Sequence, residues 1–170
     1  MKKILTIIVV LVAVNSQAQI QNATLQASGL TCAMCSKAVY KALSNVAFVD
    51  KVSADIEGSS YEISFKKDSR VDFDALSKAV VDAGFSVSKL KVTTSFKDVK
   101  VQNDAHVTLS DQSFHFLNVT PQTLSGIKTV VLVDKNFVSS KDYKKYSKLT
   151  SLQCYESGKM NGQRVYHVTM

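Results

Sequence analysis

The chain has 170 residues, 45% of them hydrophobic, and carries 21 Lys and Arg against 14 Asp and Glu for a formal charge of +7. This length holds one domain or two small ones, and its three Cys are too few and too odd for a disulfide framework. The lysines are scattered without an interleaved aromatic platform, which argues against a nucleic-acid surface.

Lys2 and Lys3 precede the uncharged run Ile4–Val14 and then Asn15-Ser16-Gln17-Ala18. This is the order of a secretory signal peptide, with cleavage expected after Ala18. The run is too short for a membrane span, which needs roughly 20 apolar residues as a helix. Losing Lys2 and Lys3 lowers the formal charge from +7 to +5. Residues 1–18 are therefore expected to be removed, and the remainder to work in the periplasm or outside the cell.

The next segment reads β-α-β-β-α-β. Thr24–Ser28 is a short extended run with Leu25 and Ala27 on one face. Cys35, Val39, Leu43 and Val46 then recur at helical spacing. Val52, Ala54 and Ile56 alternate with polar residues, as do Tyr61, Ile63 and Phe65 beyond the turn Glu57–Ser60, so a half-buried hairpin is expected. Asp72 stands as an N-cap before Phe73, Leu76, Val80 and Ala83, and Gly84 supplies the stop. A last strand runs from Phe85 toward Val92. Four one-sided strands covered by two amphipathic helices give an α+β sandwich of ferredoxin-like type.

From Thr93 onward short β-like runs follow near Lys97–Val101, His106–Leu109, Phe114–Val119 and Lys128–Val133. A Lys- and Tyr-rich helix is expected from Ser140 to about Leu149, and a final strand over Arg164–Thr169. The expected division is a signal peptide over 1–18, a first domain over 19–92, and a small β-rich domain over 93–170 built as a partly open barrel.

The chemistry lies in Gly29-Leu30-Thr31-Cys32-Ala33-Met34-Cys35. Two thiols at the start of a helix are favoured as thiolates by the free N–H groups and the dipole. Such a pair suits soft metals and suits disulfide exchange equally. A thioredoxin-like protein places a β-α-β unit before its Cys pair and an aromatic residue just ahead of it. Here only a short segment precedes Cys32, and Thr31 stands next to it.

Residues from about Ala23 to Val92 resemble the heavy-metal-associated domain family of small copper chaperones, copper-ATPase N-terminal domains and periplasmic mercury-binding proteins. The resemblance rests on the Gly-Leu-Thr-Cys-x-x-Cys turn between first strand and first helix, and on Asp82-Ala83-Gly84-Phe85 before the last strand. It implies that Cys32 and Cys35 ligate the metal, that Cys32 is exposed in the loop and Cys35 partly covered. Leu30 stands where the family usually has Met and is implied to point inward. Phe85 matches a position that shields the site. Two thiolates suit Cu(I) first, with Hg(II) or Ag(I) as alternatives, whereas Zn(II) normally wants four ligands. The implied partner is a metal donor or acceptor such as a metal-transporting ATPase. The implied function is carriage by thiolate exchange, without enzyme chemistry. A secreted interaction protein with a vestigial site and a thiol–disulfide oxidoreductase are the alternatives.

Five further residues carry possible chemistry. Met34 is expected to face solvent. Cys154 looks exposed, beside Tyr155 and ahead of Gly158, and reads as an unengaged thiol, with a metal ligand or an intermolecular disulfide as alternatives. His106, His115 and His167 fall in expected strands and read as packed or solvated rather than as a shared metal site.

Overall fold

The computed structural model describes residues 20–170. The expected signal peptide over residues 1–18 lies outside the described residues. Among the described residues no helix is long and apolar enough to cross a membrane.

The first half follows the expected order: β1 (Ile20–Ser28), α1 (Ala33–Ser44), β2 (Val49–Asp55), β3 (Ser60–Phe65), α2 (Phe73–Asp82) and β4 (Ser86–Val101). These strands lie side by side as β2-β3-β1-β4, all neighbours antiparallel, the ferredoxin-like arrangement. The α2 boundaries follow from its caps. The Asp72 carboxylate accepts from the N–H groups of Asp74 and Ala75. At the far end Gly84 adopts φ +90, while Gly84 N–H donates to Val81 and Phe85 N–H to Val80, closing the last turn. Val39, Leu43, Phe73, Leu76 and Val80 are fully buried against Leu25, Ile63, Leu90 and Val92 of the sheet.

One expectation for the hairpin needs correcting. Val52 is buried, but Ala54 is exposed and Ile56 is 60% exposed. β2 is the outermost strand, with a register shift between Val49 and Lys51, and Val52 is its last buried residue.

The second half extends the same sheet. β4 continues through residues 92 and 93 to Val101, and its outer edge pairs with β7 (Gln122–Leu132). The break expected between Val92 and Lys97 is continuous strand, and a bulge follows it: Phe96 faces Gly126, Val99 faces Leu124, and Asp98 takes φ +51 with its carboxylate accepting from the Ser125 hydroxyl. Beyond β7 come β9 (Gln163–Thr169), β6 (Gln112–Phe116) and β5 (Ala105–Leu109), and the two-residue β8 (Lys159–Met160) pairs with β9. The order β2-β3-β1-β4-β7-β9-β6-β5 is an open path with β2 and β5 at its ends, in place of the expected small barrel. The β6–β9 pair is the parallel one.

The extension has cover on both faces. Toward α2, Phe73 meets Tyr166 and Phe114 edge-on at ring distances of 5.0 and 6.3 Å. On the other face, α3 (Ser140–Ser147) and the short α4 (Cys154–Ser157) cover Leu117 and Val133 with Tyr155, Tyr143 and Tyr146. Ser139 caps α3, its hydroxyl accepting from Asp142 N–H and donating to the Asp142 carboxylate.

A charged cluster joins the two halves. Arg164 of β9 donates to both carboxylate oxygens of Asp74 on α2 at 2.7 and 3.0 Å, and to buried Asp134 at 3.0 Å. Those carboxylates hold the Arg164 pKa above its usual value despite burial, and its guanidinium lies 4.3 Å over the Tyr166 ring.

Candidate metal centre

The site grows from the end of β1. Gly29 takes φ +89, which bends the chain out of the strand and requires a residue without a side chain. Leu30 then packs, half-buried, against the main core, the inward setting implied for it. Cys32 is the N-cap of α1 in extended conformation (φ −157, ψ 165), with no side-chain capping bond, which leaves its thiol to pair with that of Cys35. The first turn of α1 contains no acidic residue, and its N–H groups and dipole favour negative charge there.

The structure brings the two thiols together. Cys32 is exposed and Cys35 half-buried, as the motif implied, and their sulfurs lie 3.0 Å apart. The Cys35 pKa is lowered from 9.0 to about 7, chiefly by the hydrogen bond with Cys32 and then by Thr31, through its backbone and its hydroxyl. The Thr31 hydroxyl stands 3.8 Å from the Cys35 sulfur. Beneath the turn, buried Tyr61 donates from its hydroxyl to the Ser36 carbonyl at 3.2 Å and ties the first turn of α1 to β3. Across the site, a Cβ at Gly29 would lie 3.8 Å from the Phe85 ring, so Phe85 borders the Cys turn. Met34 is 73% exposed, and Lys37 and Lys41 are exposed as well.

The sulfur separation sits between two chemical states. A disulfide closes to about 2.05 Å. Metal–sulfur bonds of about 2.3 Å in a linear arrangement open the pair to about 4.6 Å. A swing of the exposed Cys32 side chain reaches either state. The pair can therefore hold a thiophilic ion at low coordination or oxidise.

The other sequence-singled residues fall elsewhere. Cys154 is not exposed as expected: it opens α4 and is buried, because Tyr155 carries α4 into the cluster of Leu117 and Val133. The sequence signal for this was Tyr155, an aromatic anchor between the expected helix and the final strand. His106, His115 and His167 lie on β5, β6 and β9, with His115 and His167 fully buried.

Comparison with known proteins agrees with the first half of the chain. Residues 24–86 match the family described as the heavy-metal-associated domain. The chain is similar to the mercuric transport protein periplasmic component of Shigella flexneri, 40% identical over 68 residues, which make up 40% of this chain and 74% of that protein. The protein of the same name from Pseudomonas aeruginosa is 37% identical over the same shares of the two chains. Among solved structures, oxidised MerP from Ralstonia metallidurans CH34 is 36% identical, covering 41% of this chain and 96% of that one with a TM-score of 0.38. With its Cys-x-x-Cys turn in a β-α-β-β-α-β frame, this chain belongs to the heavy-metal-associated domain family through residues 24–86.

Proposed function

We propose that the protein is an exported carrier of one soft metal ion, held between Cys32 and Cys35 and passed on by thiolate exchange. The observation that carries this reading is the pair of sulfurs at 3.0 Å, open to solvent on the Cys32 side, with the Cys35 pKa lowered to about 7. A large fraction of Cys35 is then thiolate at neutral pH, before any metal arrives.

Transfer needs no catalytic residue. An incoming partner thiolate adds to the bound ion to give a three-coordinate species, and one original Cys then leaves and takes up a proton. The exposed Cys32 is the natural point of attack and of first departure. The partner is a metal donor or acceptor, such as a metal-transporting ATPase, that presents thiolates of its own. Residues 19–92 form the carrier and residues 93–170 present it. The expected signal peptide supports export to the periplasm, as do similar proteins described as periplasmic components.

Both Cu(I) and Hg(II) suit a two-thiolate site. Similarity to proteins described as mercuric transport components supports Hg(II) as an alternative to the Cu(I) that the sequence favours. Competition against a chromophoric chelator, run with each ion on the reduced protein, tests the proposal. In protein carrying Cys154→Ser, which leaves Cys32 and Cys35 as the remaining thiols, one ion is expected to be withdrawn from the chelator, and adding Cys32→Ser to abolish that ability. Chelator that keeps all of both metals contradicts it.

A further inference from the structure

Three histidines cross the sheet in one row. The antiparallel β5–β6 register sets His106 opposite His115, and the parallel β6–β9 register sets His115 opposite His167. Side chains alternate along a strand, so these rings face away from Phe114 and Tyr166, which meet α2. The His106 and His115 rings stack at 4.3 Å with 12° between their planes, and His167 meets His115 edge-on at 5.1 Å. Cys154 joins the row from α4. Its sulfur lies 3.6 Å from His106 Nε2 and 3.5 Å from His115 Nδ1.

These distances are those of a coordination sphere. Metal–sulfur bonds of about 2.3 Å and metal–nitrogen bonds of about 2.05 Å at a tetrahedral angle place sulfur and nitrogen about 3.6 Å apart. All three candidate ligand atoms lie within 4.8 Å of one another, so one ion fits among them after small side-chain shifts.

The surrounding groups fix the rings for that task. His115 Nε2 lies 3.0 Å from the Asp104 carboxylate, to which it donates, leaving the Nδ1 lone pair turned to the Cys154 sulfur. A carboxylate behind a ligating imidazole is the usual support of a metal-bound His. Burial, followed by the neighbouring imidazoles, lowers the His115 pKa to about 4 and also lowers that of His106, so both are neutral at neutral pH. His167 is organised alike: Nδ1 donates to Asp134 at 2.9 Å, and the fully buried Nε2 has no hydrogen-bond partner. An imidazole lone pair left unpartnered in a dry interior has a cost that a metal or a bridging ligand removes.

We propose that His106, His115 and Cys154 form a second metal site, which takes one late first-row ion, Zn(II) or Cu(I). Two imidazoles with one thiolate make a borderline donor set, unlike the all-sulfur pair at the helix start. Binding releases the Cys154 thiol proton. The site lies outside residues 24–86 and does not rest on the carrier reading of Cys32 and Cys35.

The test uses protein carrying Cys32→Ser and Cys35→Ser, which removes the first pair. It is titrated anaerobically with Co(II), as a spectroscopic stand-in for Zn(II), and separately with Cu(I) against a chromophoric chelator. One equivalent is expected to bind. A thiolate charge-transfer band with tetrahedral Co(II) absorption assigns Zn(II), and retention of Cu(I) alone assigns copper. Adding Cys154→Ser abolishes the charge-transfer band, and Asp104→Asn weakens binding by about ten- to a hundredfold. His106→Gln, at the half-buried ligand, checks the result in a variant expected to keep the fold. The proposal is overturned if neither metal is retained, or if retention is unchanged in both the Cys154→Ser and the His106→Gln proteins.

Discussion

The Tyr61 hydroxyl donates to the Ser36 carbonyl at 3.2 Å, a contact between the second strand of the hairpin and the first turn of the Cys helix. Both residues are buried, and the bond joins elements that are 25 residues apart in the chain. It sets the height of the Cys turn above the sheet. Tyr61→Phe keeps the ring and removes the donor. It is expected to cost about 1 kcal/mol in urea unfolding, the net worth of one such bond. A stability unchanged from the parent shows that the bond does not hold the turn.

Cys35 should react as a thiolate well below ordinary thiol pH. In the reduced, metal-free protein its alkylation rate, followed at that residue by mass spectrometry, is expected to rise through a midpoint at about pH 7. Below that pH the thiol is protonated and slow; above it the thiolate is exposed to reagent. Because the Cys32 hydrogen bond is the largest cause of the shift, Cys32→Ala should move the midpoint up toward 9.0. A parent midpoint already near 9.0 contradicts the description of the pair.

Arg164 bridges partly exposed Asp74 of α2 and buried Asp134, so its loss removes the cation from both and leaves buried Asp134 with the His167 hydrogen bonds. Arg164→Ala is expected to destabilise the protein by about 3 kcal/mol, because an uncompensated buried charge costs more than the ion pair contributes. Arg164→Lys should recover part of this, since it restores the charge without the planar fork that reaches both acids. Equal stability of the Ala variant and the parent would show that the cluster is not a brace.

A chain ended at Val92 loses the partner of β4 and the aromatic cover of Phe73. Val92 pairs with Val130, and Phe73 packs on Tyr166 and Phe114. Such a fragment is expected to melt below the full chain or to associate through its exposed edge strand. A monomeric fragment with the melting temperature of the full chain contradicts this view of one continuous sheet.

The first half was legible because its signals are local. Helical spacing of Phe73, Leu76 and Val80, the Asp72 cap and the Gly84 stop each act over a turn or two, and the Cys pair lies between a strand and a helix that both announce themselves. The second half depends on register, which sequence does not state. Residues 93–96 read as a break between two strands and are continuous strand, with a bulge at Lys97-Asp98 where a strand was expected to start. The β5–β6 hairpin turns on Ser110-Asp111, both at positive φ, in place of the glycine that would have marked it. Above all, the parallel pairing of β6 with β9 aligns His115 with His167 across a long stretch of chain. No spacing rule links those histidines to Cys154, so the cluster appears only once the sheet is assembled.

The claim that one soft ion rests on Cys32 and Cys35 is tested most directly by X-ray absorption. The measurement uses reduced protein carrying Cys154→Ser, which removes the third thiol, loaded with one equivalent of Hg(II) or Cu(I). The account predicts a first shell of two sulfurs, lost when Cys35→Ser is added. A first shell of imidazole nitrogens, or a spectrum indifferent to Cys35, would contradict it.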